Sequence, residues 1–371
     1  MRARSDTGTP PSKKTTRRIR LGNVPIGGNA PVSVQTMAKC DGRDTAALLA
    51  QTARAADAGC DVMRVAVPDL ATAEALAEVV KQSPLPIVAD IHFDYRLALA
   101  SLKSGVAGLR INPGNIGDRN AIRAVVASAK PCHAPIRVGV NAGSLEKDLF
   151  EKHGGATPEA MVESALRHVA MLEAEDFFDI KISVKASDIP RTLAAYRLLS
   201  ERTDYPLHLG LTEAGTFLAG TMRSTFALGT LLSEGIGDTI RVSLTDTPEC
   251  EARVGVELLR MLGLRKPGAS VTSCPTCGRT QVDVQKIAEE IESRLDVFYR
   301  ANPDAPRPHI AVMGCLVNGP GEARGADIAL VGGKGRFALF VKGENVASFA
   351  EAEAVARVVE AAGIFETGLR D

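Results

Sequence analysis

Eight short β-rich runs alternate with helix-compatible stretches between about residues 32 and 262, and this beat restricts the fold more than any other feature of the chain. The runs are Val32–Met37, Val62–Val67, Pro86–His92, Gly108–Pro113, Ile136–Asn141, Asp179–Lys185, Leu207–Glu213 and Thr239–Thr245. Between them lie Thr45–Ala58, Ala71–Lys81, Ala121–Ala129, Pro158–Ala174 and Ile189–Glu201, with Glu249–Leu262 supplying the last helix. Strand followed by helix, repeated, means parallel βα units and an α/β class. Eight units in this length fit a closed, TIM-like (β/α)8 barrel. The rival is a doubly wound sheet, but no G-x-G-x-x-G follows the first strand.

After Leu264 the beat stops at Arg265-Lys266-Pro267-Gly268, which reads as a linker. Beyond it come a cysteine pair, a helix over Val282–Tyr299, a Pro-rich loop and a strand His309–Val317. Strands near Asp327–Val331 and Arg336–Lys342 and a helix over Phe349–Ala362 complete a small α+β domain. The expected division is a tail over 1–20, a barrel over 21–264 and a second domain over 265–371. The tail holds seven Lys/Arg against one Asp and reads as solvated and disordered.

The strands carry charge where an ordinary barrel is aliphatic. Strand side chains alternate faces with a period of two. In 136–141 the apolar set is Ile136, Val138 and Val140, leaving Arg137, Gly139 and Asn141 on the other face. Ile180, Ile182 and Val184 likewise oppose Lys181, Ser183 and Lys185. Leu207, Leu209 and Leu211 oppose His208, Gly210 and Thr212, and Ile240, Val242 and Leu244 oppose Arg241, Ser243 and Thr245. Arg110 and Asn112 share a face, as do Asp90 and His92. The outer face of a barrel strand lies under helices and must be apolar, so the polar set points inward. Its cations are Arg64, Arg110, Arg137, Lys181, Lys185 and Arg241; its carboxylates are Asp90 and, at a strand end, Glu213. Buried charge is costly without partners. The surplus therefore predicts an anionic ligand at the mouth, and Arg forks with Lys suit a phosphate or diphosphate.

Composition narrows the partners. With 44 basic and 44 acidic side chains, no Trp and four Tyr, the chain lacks the basic excess and aromatic platform of a nucleic-acid binder. No run of about 18 apolar residues is present, which argues against a membrane span. Seven cysteines, an odd number in a long chain without a secretory leader, point to a reducing, cytoplasmic compartment.

Cys274-Pro275-Thr276-Cys277 alone is ambiguous between zinc, iron–sulfur and a redox disulfide. Cys315 follows within Met313-Gly314-Cys315-Leu316-Val317-Asn318-Gly319-Pro320-Gly321-Glu322. A structural zinc site typically uses a second pair, which is missing; three thiolates plus one exchangeable ligand fit a [4Fe–4S] cluster. Glu322 is the obvious oxygen candidate, against the alternative of a loop carboxylate in water, which the spacing alone slightly favours. Cys40, Cys60, Cys132 and Cys250 read as packing residues.

Several stretches resemble one family. They are Val88–Arg96, Leu109–Gly117, Ile136–Asp148, Ser183–Asp188, Leu207–Gly215 and Leu232–Leu244, with the C-P-T-C pair and the Gly314–Glu322 run. Over roughly residues 20 to 365 the chain is similar to the bacterial 4-hydroxy-3-methylbut-2-enyl diphosphate synthases of non-mevalonate isoprenoid biosynthesis. The resemblance implies a barrel followed by an iron–sulfur domain. It implies reductive ring opening of 2-C-methyl-D-erythritol 2,4-cyclodiphosphate by two one-electron transfers from flavodoxin or ferredoxin. Cys274, Cys277, Cys315 and Glu322 would ligate the cluster, and Arg64, Arg110, Arg137, Lys181 and Arg241 would hold the diphosphate. Asp90, His92, Asn112, Asn141, Thr212, Glu213 and Ser243 would line the same mouth, with Glu213 as proton donor. It also implies a homodimer in which one subunit's cluster domain caps the other's barrel.

Overall fold

The computed structural model describes residues 12–112, 115–302, 304–315, 321 and 324–363. The chain divides into two compact units, Met1–Arg265 and Lys266–Asp371.

The first unit opens with a hairpin, β1 (Ile19–Leu21) and β2 (Val24–Ile26). Eight parallel strands follow: β3 (Ser33–Met37), β4 (Val62–Ala66), β5 (Ile87–Asp90), β6 (Gly108–Ile111), β7 (Ile136–Asn141), β8 (Ile180–Lys185), β9 (His208–Leu209) and β10 (Thr239–Ile240). They form one sheet in the order β8-β7-β6-β5-β4-β3-β10-β9. A bridge between Ile182 and Leu207, with the Ile182 N–H donating to Pro206 O at 2.9 Å, brings its two edges together into a barrel. Helices begin directly behind the mouth loops because an aspartate caps them. Asp44, Asp69, Asp118 and Asp188 each accept the N–H three residues on, a contact worth about 1 kcal/mol apiece.

The outward strand residues, among them Met63, Val65, Val138, Ile182 and Leu209, join the helices in one large apolar core. The inward face is layered. At the amino-terminal end Val62 and Val88 pack with Ile19, Leu21 and Ile26, so the hairpin plugs the bottom. Two residues further along the same strands stand Arg64 and Asp90. An apolar floor thus carries a charged layer.

Two expectations change here. Residues 12–20 are not a solvated tail: the Lys14 N–H donates to Gly235 O at 2.9 Å and the Arg17 N–H to Asp204 O at 2.7 Å. Lys13 Nζ (2.7 Å) and Thr16 Oγ1 (2.8 Å) both meet the buried carboxylate of Asp238, which needs those partners. The last two strands are also shorter than expected, stopping at Leu209 and Ile240. Beyond them backbone donors find other acceptors, Thr212 N–H on Ala186 O at 3.0 Å and Leu244 N–H on the Glu251 carboxylate at 3.0 Å. Thr212, Glu213, Arg241 and Ser243 therefore stand on loops.

The second unit is a five-stranded sheet, β11 (Ser270–Ser273), β12 (His309–Met313), β13 (Ile328–Gly333), β14 (Arg336–Val341) and β15 (Glu344–Ala350), in chain order. Helices Val284–Ala301 and Ala354–Gly363 bury their apolar stripes against it. The strands β11 and β15 were not expected, and the last helix starts at Ala354 because Phe349 is held in β15 opposite Phe337. Among the described residues no helix is long and apolar enough to cross a membrane.

Candidate active site

Register sets the site. Across the parallel ladders Asp90 lies beside Arg110, Arg110 beside Arg137, and Arg137 beside Lys181. Laterally paired residues point to the same face, so one carboxylate and three cations form a continuous girdle inside the barrel. One step toward the mouth Ser183 lies beside Gly139, and one step further Lys185 lies beside Asn141. Like charges on neighbouring strands repel at close range. All four girdle residues are buried nonetheless, with Arg137 at 2% and Lys181 at 1% exposure.

Asp90 is the girdle's one anion. Its Oδ1 accepts from Arg110 Nη1 at 3.2 Å, and its Oδ2 lies 3.5 Å from Arg64 Nε and 3.7 Å from His92 Nε2. Burial alone would raise its pKa, but Arg64, His92, Arg110 and Arg137 outweigh that and hold it far below the usual carboxylate range. One carboxylate does not satisfy this many cations. Arg137 donates Nη1–H to Ser183 Oγ at 2.6 Å, while its Nε and Nη2 have no hydrogen-bond partner. Lys181 Nζ and Arg110 Nε have none either. Burial, with Arg137 and Arg64 adding repulsion, pushes Lys181 down to about 7. Burial with repulsion from Arg64 and Arg110 pulls Arg137 well below its ordinary value, and burial with repulsion from Arg137 and Arg64 does the same to Lys185.

A glycine makes room for this packing. A Cβ at Gly139 would stand 2.7 Å from Arg110 Nε, so only a residue without one lets that guanidinium lie across β7 and donate to Gly139 O at 3.2 Å. His208 is fully buried with Nδ1 on Thr239 Oγ1, and burial among Lys185, Arg137 and Lys181 keeps it neutral. His92, by contrast, is more than half exposed at the rim, with Nδ1 3.3 Å from Arg110. Asn112 is buried; Asn141, Thr212 and Ser243 are half-buried, and Glu213 is exposed with a left-handed φ of 54°.

Arg241 differs from the girdle cations. Its Nε and Nη2 grip the two oxygens of Glu251 at 3.1 and 2.9 Å, and Nη1 donates to Ser243 Oγ at 2.6 Å. Sequence reasoning missed Glu251. Its signal was a carboxylate inside the buried stripe of the helix Pro248–Met261, among Ala252, Gly255, Val256 and Leu259.

The cysteines gather at one end of the second sheet. Cys274 follows β11, and its N–H donates to Val312 O at 2.9 Å; Cys315 follows the neighbouring strand β12. The Cys277–Thr280 turn closes through Thr280 N–H on Cys277 O at 2.9 Å, and Gln281 N–H then donates to Gly314 O at 3.1 Å, beside Cys315. A Cβ at Gly314 would come within 2.7 Å of Thr280, so glycine permits this approach. Hydrogen bonds from Arg279 and Thr280 lower the pKa of exposed Cys277 and favour its thiolate. None of the seven cysteines is in a disulfide. Among the described residues no three His, Cys, Asp or Glu side chains crowd closely enough for a single metal ion. Three soft thiolates have the donor chemistry of an iron–sulfur group. Glu322 lies outside the described residues.

The GcpE TIM-barrel domain matches residues 16–256, and the GcpE protein C-terminal domain matches residues 270–363. This chain belongs to the GcpE family. Its first match takes in the whole cationic girdle, and its second takes in Cys274, Cys277 and Cys315. GcpE relatives include the 4-hydroxy-3-methylbut-2-en-1-yl diphosphate synthase (flavodoxin) of Geobacter sulfurreducens, 57% identical over 92% of this chain and 95% of that one. Proteins of the same name from Symbiobacterium thermophilum (53% identical; 94% of this chain and 92% of that one covered) and Thermodesulfovibrio yellowstonii (51%; 94% and 98%) are similar as well.

Proposed function

We propose that this chain is a flavodoxin-dependent 4-hydroxy-3-methylbut-2-enyl diphosphate synthase that opens 2-C-methyl-D-erythritol 2,4-cyclodiphosphate reductively. Two electrons and two protons enter, the cyclic diphosphate departs from C2, and the C3 oxygen leaves as water. The observation that carries this reading is the girdle: three adjacent buried cations with one carboxylate among them. A doubly charged diphosphate supplies the acceptors that Arg137, Lys181 and Arg110 lack.

In this reading Arg64, Arg110, Arg137 and Lys181 bind the diphosphate in the barrel, and Arg241 with Ser243 holds its outer edge. Their fixed charges stabilise the negative charge that builds on the diphosphate as its bond to C2 breaks. Asp90 keeps Arg64 and Arg110 in place, and His92 steadies Arg110 from the rim. Asn112, Asn141 and Thr212 orient the substrate's hydroxyl groups, while Glu213, on its strained mouth loop, donates the proton to the departing oxygen. Cys274, Cys277, Cys315 and Glu322 hold a [4Fe–4S] cluster. When bound, that cluster supplies electrons one at a time, received from flavodoxin or ferredoxin. The working unit is a homodimer in which the cluster unit of one copy caps the barrel of the other.

The test is anaerobic purification followed by turnover. About four irons and four sulfides per chain, a visible absorption that bleaches on reduction, and conversion of the cyclodiphosphate with reduced flavodoxin are expected. Cys315→Ser should lose iron and turnover together. Zinc without sulfide, or full activity in Cys315→Ser, would refute the assignment.

A further inference from the structure

We infer that Glu251 is a positioning residue of the anion site: it fixes Arg241 in the arrangement that distinguishes a diphosphate from a single phosphate. The inference rests on the diphosphate reading above and deepens it.

The carboxylate of Glu251 has no solvent access. It gathers donors from four places in the chain. Arg241 forks onto both oxygens at 3.1 and 2.9 Å. Lys39 Nζ lies 3.1 Å from Oε1, Thr36 Oγ1 donates to Oε2 at 2.7 Å, and the Leu244 N–H donates to Oε1 at 3.0 Å. Lys39 Nζ also donates to Leu244 O at 2.7 Å, and Arg241 Nη1 donates to Ser243 Oγ at 2.6 Å. One buried anion thus ties the loop after β10 to the loop after β3, on the side of the barrel where the ladders are shortest.

A bidentate fork locks a guanidinium in plane and removes the rotamer freedom that Arg otherwise carries. Arg241 is near enough to Arg64 and Lys185 to depress their charged forms, so it belongs to the same electrostatic site as the girdle. Without Glu251 those cations would repel Arg241 away from its present place. Removing the carboxylate also adds one net positive charge, which by itself strengthens binding of every anion. Selectivity therefore reports positioning more cleanly than affinity does.

The experiment is calorimetric titration of the full, anaerobically prepared chain with inorganic pyrophosphate and, separately, orthophosphate. Wild type should prefer pyrophosphate. Glu251→Gln should cut that preference about tenfold, Arg241→Gln should cut it equally, and the double variant should do no worse than Arg241→Gln alone, because Glu251 acts through Arg241. In turnover Glu251→Gln should raise KM for the cyclodiphosphate with little change in kcat. Should Glu251→Gln fail to fold by circular dichroism, Glu251→Asp keeps the charge but draws it back, and the same loss of preference is expected. A mutant preference equal to wild type, or losses that add in the double variant, would overturn the inference. Both anions binding more tightly by the same factor would also overturn it, since Glu251 would then be a counter-charge alone. A wild type without pyrophosphate preference would instead sink the diphosphate reading itself.

Discussion

On β6, β7 and β8 the inward cations Arg110, Arg137 and Lys181 stand side by side along full ladders, and Arg137 and Lys181 keep nitrogens with no hydrogen-bond partner. On the β9–β10 side the ladders end after two residues, and the cation there, Arg241, is gripped by a buried carboxylate. The same residue type is left electrostatically open on one wall and closed on the other. The difference separates two jobs. Open cations cost folding energy and gain it back only from an anion. A closed cation already has its counter-charge in the fold and serves by where it is held.

The sharpest way to break this comparison is to remove the most open charge. Arg137→Met keeps much of the side chain's length and discards a buried, under-partnered guanidinium. Pyrophosphate affinity, read by calorimetry, should fall by about a hundredfold, the loss expected for a buried charge-assisted contact. The barrel should at the same time become more stable, by about 1–3 kcal/mol, because an unsatisfied charge has gone; thermal unfolding reads this as a rise of a few degrees. Loss of both stability and affinity would mean that Arg137 is satisfied after all.

Lys181 gives the next effect, through pH. Its ammonium is pushed down to about 7 by burial and by Arg137 and Arg64. Below that pH it is charged and assists an anion; above it the site has lost that charge. Affinity for pyrophosphate should therefore decline as pH rises through 7, by up to about tenfold per unit, and binding at neutral pH should take up a proton. Lys181→Met should flatten this part of the profile. A wild-type profile parallel to that of Lys181→Met between about pH 6 and 9 would show that Lys181 does not meet the ligand, since the anion's own titration is common to both.

Gly139→Ala tests the geometry of the open wall without touching a charge. The added methyl, 2.7 Å from Arg110 Nε, must displace that guanidinium. About 1–3 kcal/mol of destabilisation is expected, with a several-fold weaker pyrophosphate complex. At the small end, Glu234→Gln on the exposed Arg197–Glu234 pair should change stability by less than about 1 kcal/mol and binding not at all.

The period-two pattern made the girdle legible in advance, because a strand with Ile136, Val138 and Val140 on one face leaves Arg137 no place but the other. The barrel's beat was legible for the same reason. Glu251 was not, since its partners Thr36 and Lys39 lie more than 200 residues away and only the closed fold brings them, with nearby Arg241, onto one carboxylate. The early ends of β9 and β10 were hidden as well: Leu211, Val242 and Leu244 continue the apolar alternation although the backbone has left the ladder. Basic composition misled at residues 12–20, where Lys13 and Thr16 are drawn in by a buried aspartate that sequence order places more than 200 residues away.

The most direct measurement is an anaerobic crystal structure of the full chain with pyrophosphate. Phosphate oxygens within hydrogen-bond distance of Arg137 Nη2 and Lys181 Nζ, with Arg241 still forked on Glu251, are the expected result. An anion bound elsewhere, with those two nitrogens satisfied by protein or water alone, would contradict the central claim that the barrel's unpaired cations exist to receive a diphosphate.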